Sequence, residues 1–275
     1  MKVISFINMK GGVGKTTSVV ETSTILAKEH NKKVLLIDID PQTNATFSLV
    51  NYENWRDNVS QNTIADVLGR NSHLTSRSDE YDINKAVVKN VCGINGLDLI
   101  SSHLSLTFLD LDLSSQAGRE KILSRQIKKL ESEYDFIIID CPPNLTLAPQ
   151  NALVASDFII TPIIPDFYSF LGLPLLINRV KKLREDLEID VSFLGCVFTR
   201  VEQNTRLHSE FIPKIRDVCA GDDIYSFSTI IPKNIKVSEA SSSSSPACIL
   251  FPNESGVVSY KNFTKELLIL LEGDK

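Results

Sequence analysis

Lys10, Gly11, Gly12, Val13, Gly14, Lys15, Thr16 and Thr17 follow almost directly on a short apolar run, Val3 to Ile7. Three glycines within four positions let the backbone fold tightly, so that successive N–H groups converge on a concavity able to hold phosphate oxygens. Thr16 and Thr17 open a helical stretch running to about Glu29. Its N-terminal amides and dipole add to the attraction for negative charge. In this order of strand, glycines, lysine, threonine and helix, Lys15 is placed to neutralise β- and γ-phosphates and the Thr16 hydroxyl to ligate Mg²⁺.

Three carboxylates could complete such a site. The second apolar run leads into Asp38, Ile39, Asp40, Pro41 and Gln42, and alternation along a strand puts both aspartates on one side. Phe136, Ile137, Ile138 and Ile139 lead into Asp140, a carboxylate at the end of a buried strand, which suits a magnesium-holding role. Phosphoryl transfer needs charge neutralisation and an in-line nucleophile more than covalent chemistry, and these carboxylates can serve the ion and an attacking water. Beside the loop there is no Ser/His/Asp or Cys/His arrangement for covalent catalysis, so direct attack by water is the simpler mechanism.

The elements that must position these groups read as an α/β chain. Apolar runs recur at Val3 to Ile7, Val34 to Ile39, Leu97 to Ile100, Phe136 to Ile139, Phe158 to Ile160 and Val191 to Phe198. Near-continuous hydrophobicity predicts strands covered on both faces, hence a mainly parallel sheet. Helical stretches lie between them, including Arg119 to Glu133, Leu175 to Glu188 and Leu207 to Val218, the last interrupted by Pro213. The pattern predicts a doubly wound fold with helices on both faces and ligands outside the carboxyl ends of the strands. With 275 residues the chain suffices for one large domain, 1–275. A more polar insertion spans about 51–95, with a short helix at Thr63 to Leu68. Ser241 to Ser245 reads as an exposed loop and Val257 to Leu271 as a C-terminal helix.

Nothing near Met1 has the form of a secretion signal, and no apolar run is long enough to span a bilayer, so a cytoplasmic protein is expected. The five cysteines are scattered and form no CxxC pair; free thiols follow, with Cys141 a buried small hydrophobe. A net charge of -5 excludes a chain that coats nucleic acid with its whole surface, and leaves room only for a local patch.

One departure from the general phosphate-loop pattern carries a family resemblance. Met9 stands in place of the first glycine and a second lysine, Lys10, follows. This resembles the deviant Walker A loop of the ParA and MinD superfamily, in which the extra lysine crosses a dimer interface to the nucleotide of the other subunit. Asp40 to Thr46, Tyr134 to Pro143 and the late stretch Ile230 to Ala240 resemble ParA or Soj proteins in particular. The resemblance implies a Mg²⁺-dependent ATPase that forms a homodimer with ATP. It assigns Asp40 to positioning the lytic water, Asp38 to the loop or the metal shell, Asp140 to the metal, and the turn at Pro142 and Pro143 to sensing the γ-phosphate. Lys10, Gly11, Gly12, Val13, Gly14, Lys15, Thr16 and Thr17 would hold the nucleotide, with Pro232 against the adenine.

The same resemblance implies non-specific DNA binding through Lys233 and Lys236, with Arg200 and Arg206 extending the patch, and a ParB-type partner that accelerates hydrolysis. Asn204 stands near where that family carries a basic residue. Such a protein would sit on the nucleoid and partition a plasmid or chromosome. A MinD-like positioning protein that works on a membrane or protein assembly without DNA is the alternative. It needs a basic amphipathic C-terminal helix, whereas here Lys261 and Lys265 are offset by Glu266, Glu272 and Asp274, which predicts a core stripe and no membrane partner. The chain starts at its first strand, so an operator-reading domain is not expected.

Overall fold

Short apolar runs closed by polar turns become strands buried on both faces. A computed structural model describes residues 1–69, 81–130, 133–202 and 205–273. The strands are β1 (Lys2–Phe6), β2 (Val34–Asp38), β3 (Val87–Val88), β4 (Leu97–Ile100), β5 (Phe136–Asp140), β6 (Phe158–Ile163), β7 (Ser192–Val201) and β8 (Tyr225–Pro232). They form one sheet in the order β3-β4-β2-β5-β1-β6-β7-β8. Every pairing is parallel except that of β3 with β4, which caps one edge.

Alternation along the central strands divides the core in two. Ile4, Phe6, Leu36 and Ile138 face one cluster, whereas Val3, Leu35, Ile37, Ile137 and Ile139 face the other. The long helices are α1 (Lys15–His30), α2 (Leu147–Ala155), α3 (Phe167–Leu187), α4 (Arg206–Gly221), which packs on a smaller third cluster with Ile163 and Phe198, and α5 (Ser255–Glu272). The first face packs under α1 and α5 and the second under α2 and α3. The apolar stripe of α5, from Val257 through Tyr260, Phe263 and Leu267, lies in that core, and Lys261 pairs with Glu29 on α1 at 2.9 Å. Among the described residues no helix is long and apolar enough to cross a membrane.

The six strands read from the sequence are present, and two more were not legible. β3 is two residues long, too short for a periodic signal, and β8 buries only Phe227 and Ile231 at the sheet edge, where β7 pairs with it irregularly. Pro213 does not interrupt its helix. α4 runs through it because Pro213 and Ser209, the residue whose carbonyl loses its partner, are both exposed, and Phe211, Ile215 and Cys219 are buried alongside. The helix predicted for Arg119 to Glu133 is broken into 3-10 turns around Ile122–Ile127, and residues 131–132 lie outside the described set. In the 51–95 stretch, Val59, Val91 and Ile94 join one core cluster and Ile64, Val67 and Leu68 the other. Thr63 and Asp66 close a capping box at Ile64–Leu68, whereas 70–80 fall outside the described residues.

Candidate active site

β1 lies between β5 and β6, so its carboxyl end opens where the chain order reverses, the crevice in which such sheets hold ligands. The glycine-rich loop leaves β1 here. Gly12 (φ 72°) and Gly14 (φ 81°) take left-handed backbone that residues with a Cβ adopt at a cost, and Gly14 leads into α1. Lys15 is buried, with its Nζ donating to the Lys10 carbonyl at 3.2 Å. Burial pulls the Lys15 ammonium below its ordinary pKa, and the charges of Asp140 and Asp40 work against that pull. The loop borders a cavity of about 600 Å³ lined by Gly11, Gly12, Lys15, Thr16, Asp40 and Arg200, among others.

The Thr16 hydroxyl donates to Asp140 Oδ2 at 2.7 Å. Asp140 is fully buried at the end of β5, and its other oxygen, Oδ1, is buried without a hydrogen-bond partner. Burial, then the neighbouring charge of Asp38, pushes the Asp140 carboxyl well above the usual carboxylate range. The Thr16 hydroxyl on the cavity wall and the unpartnered Asp140 oxygen buried behind it are the oxygen donors that a hard cation such as Mg²⁺ takes, while the Lys15 ammonium beside them supplies charge but no ligand.

The structure separates the two aspartates that alternation groups together. β2 ends at Asp38, so the pleat does not continue to Asp40. Asp40 lines the cavity, and its Oδ1 accepts the Gln42 N–H at 2.9 Å. Asp38 is fully buried and outside the cavity wall. Its Oδ2 accepts the N–H and hydroxyl of Thr46, both at 2.8 Å, and its Oδ1 the Asp40 N–H at 3.1 Å. Of its two anticipated roles, the observed hydrogen bonds are those of the loop support. Burial pushes the Asp38 carboxyl up to about 7 against the bonds from Thr46.

Thr46 and Ser102 complete this brace, the Ser102 N–H donating to Thr46 Oγ1 at 2.9 Å and the Ser102 hydroxyl to the Asp40 carbonyl at 2.6 Å. Thr46→Val leaves a buried carboxylate short of one donor and is expected to cost about 1–3 kcal/mol. A denaturation midpoint equal to the parent's would show that the hydroxyl is dispensable.

Sequence reasoning missed several other groups. Thr199 on β7 donates to the Val13 carbonyl at 2.6 Å, gripping the loop from the far side. Glu21, buried in α1, accepts the N–H groups of Ala247 and Cys248 at 2.6 and 2.8 Å and so pins the chain after the serine run. The serines are not simply an outward loop: Ser241–Ser243 form a 3-10 turn, and Ser241, Ser242 and Ser245 line the cavity. Pro232 ends β8 opposite Val201 and is not in the cavity wall, which on that side is built of Val237, Ala240, Pro246 and Ala247. Cys141 is buried beneath the site, and burial pushes its thiol well up.

Lys10 turns away from the cavity. It pairs with Asp166, the N-cap of α3, and its Nζ lies 5.9 Å from the Tyr168 ring centroid. Lys233 and Lys236 are exposed but each is paired, with Glu202 and Glu254 respectively, at 2.6 Å in both cases. Arg206 is exposed as the first residue of α4. Arg200 does not join this group: its Nη1 donates to the Gly12 carbonyl at 3.0 Å, at the phosphate loop. Asn204 lies outside the described residues.

The family described as AAA domain matches residues 1–193. The chain is 35% identical to the sporulation initiation inhibitor protein Soj of Bacillus subtilis over 97% of its length and 98% of that protein's. This chain belongs to the Soj/ParA family of partition ATPases. It is also 31% identical to the chromosome-partitioning ATPase Soj of Treponema pallidum, with 97% of each chain covered. Among solved structures, cobyrinic acid a,c-diamide synthase of Mycobacterium smegmatis with a bound ATP analogue and magnesium matches with TM-score 0.79 and 25% identity, over 100% of this chain and 97% of that one. For a Soj/ParA member the eight-stranded, mostly parallel sheet is the expected P-loop NTPase fold.

Proposed function

We propose that this chain is a Mg²⁺-dependent ATPase that dimerises on ATP, binds DNA without reading its sequence, and is released by hydrolysis, so that it moves a DNA cargo. The observation that carries the reading is Thr16, on the cavity wall, against Asp140, which is buried directly behind it and has a second oxygen without a hydrogen-bond partner. Thr16 and Asp140 would hold Mg²⁺, while Asp38 keeps the Asp40 loop in place. The ion, when bound, offsets the charge that develops on the phosphates. Lys15 and the loop amides hold the β- and γ-phosphates, and Asp40, on the cavity wall, orients a water and accepts its proton. Lys10 reaches the nucleotide of the partner subunit, and a ParB-type partner bound at a centromere-like site accelerates hydrolysis. The wall of Val237, Ala240, Pro246 and Ala247 flanks the base, in place of Pro232. The protein belongs in the cytoplasm, on the nucleoid, as one domain over 1–275 with the stretch at about 51–95 elaborating its edge.

DNA is held by Lys233 and Lys236, with Arg206 at the margin. Exposed ion pairs of this kind are screened by water and salt, so duplex phosphates displace Glu202 and Glu254 readily. The deciding experiment is DNA binding with ATP, with ADP and without nucleotide, at two salt concentrations. Binding with ATP alone that weakens with salt is expected; no binding in any state would favour the DNA-independent positioning protein. Lys233→Ala with Lys236→Ala removes two phosphate contacts, and the slope of log affinity against log salt should fall by about 1.8. Glu202→Gln with Glu254→Gln should tighten binding by unmasking the same lysines. An unchanged slope in the lysine variant would refute the patch.

A further inference from the structure

We propose that Arg200 is a phosphate-contacting residue of the nucleotide site, rather than part of a DNA-binding face. The inference rests on the reading of the cavity as a nucleoside triphosphate site and deepens it. Thr199 and Arg200 are consecutive on β7, and on a regular strand their side chains would lie on opposite faces. Here both grip the same loop, Thr199 the carbonyl of Val13 at 2.6 Å and Arg200 that of Gly12 at 3.0 Å. The device is backbone: Arg200 has φ 53°, in the left-handed region that a residue with a Cβ enters at a cost, and the register of β7 against β8 slips between Phe198 and Val201. An unfavourable conformation kept on a strand end, beside a ligand cavity, marks a residue whose direction matters.

Its charge points the same way. Arg200 lines the cavity together with Gly11, Gly12, Lys15 and Thr16. The acid closest in sequence, Glu202, is taken by Lys233, and among the described residues no carboxylate forms an ion pair with Arg200. The guanidinium has five N–H donors and the Gly12 carbonyl takes one, which leaves a fork suited to phosphate oxygens. A brace for the loop would need only a neutral donor; a cation with spare donors fits a polyphosphate.

Equilibrium dialysis with radiolabelled ATP and ADP in Mg²⁺ tests this, with ADP reporting the site apart from any ATP-dependent assembly. Arg200→Ala and Arg200→Gln are each expected to weaken both nucleotides at least tenfold, whereas Arg200→Lys stays within about threefold of the parent. Arg200→Gln keeps a donor for Gly12 without the charge, so parent-like affinity in that variant would reduce Arg200 to a brace and overturn the proposal. Intact nucleotide affinity with lost DNA binding would also overturn it, in favour of a DNA contact. Lys15→Ala serves as the separate control: if it binds nucleotide normally, the reading of the cavity itself fails, whatever Arg200 does.

Discussion

Asp40→Ala is expected to bind Mg²⁺ and ATP and to assemble with ATP as the parent does, but to hydrolyse it at least a hundredfold more slowly. A positioned base contributes on the order of 10²–10⁴-fold, and a hundredfold is about 2.7 kcal/mol of barrier. Binding survives because the cradle is built elsewhere, from the loop glycines, Lys15 and the Thr16–Asp140 pair. Fold stability also survives, since the bond from Ser102 is to the Asp40 backbone carbonyl and the bond to Asp38 comes from the Asp40 backbone N–H. Asp40→Asn separates charge from shape, because an amide oxygen can still accept from Gln42. Single-turnover hydrolysis near the parent rate in Asp40→Asn would sink the base role, and loss of ATP binding in Asp40→Ala would sink the water-positioning role altogether.

What the sequence made legible follows from how local each signal is. The glycine loop, Lys15, Thr16 and Asp140 sit at strand ends in a fixed order, and their meeting needs only the parallel pairing of β1 with β5, which places Phe6 level with Asp140. Asp38 and Asp40 were harder, because the alternation argument holds only while the strand lasts, and the strand ends between them. The brace through Thr46 and Ser102 and the grip of Thr199 depend on contacts 56 and 186 residues apart in the chain, which no spacing rule encodes. Arg200 shows the same limit. Its residue type suggests a basic patch, and only the left-handed backbone at that point brings it to Gly12.

Lys10→Ala is expected to bind ATP as a monomer. In the single chain Lys10 lies against Asp166 and Tyr168, outside the cavity wall, so its loss leaves its own nucleotide site intact. The pair is partly exposed, and such pairs contribute about 0–1 kcal/mol, so a partner subunit's nucleotide phosphates can draw the ammonium away from Asp166. A charge-assisted bond to phosphate is worth about 1.5–3 kcal/mol. A two-fold symmetric dimer would contain it twice, so the assembly should weaken by roughly 10²–10⁴-fold. Asp166→Asn acts in the opposite direction, because it releases Lys10 in the monomer and should lower the protein concentration at which the ATP-bound dimer forms. Sedimentation velocity with a non-hydrolysable ATP analogue reads both effects. A parent-like dimer in Lys10→Ala would refute the cross-subunit lysine; a monomeric Lys10→Ala beside an unchanged Asp166→Asn would keep the lysine's role and reduce its resting pair with Asp166 to a contact without consequence for assembly.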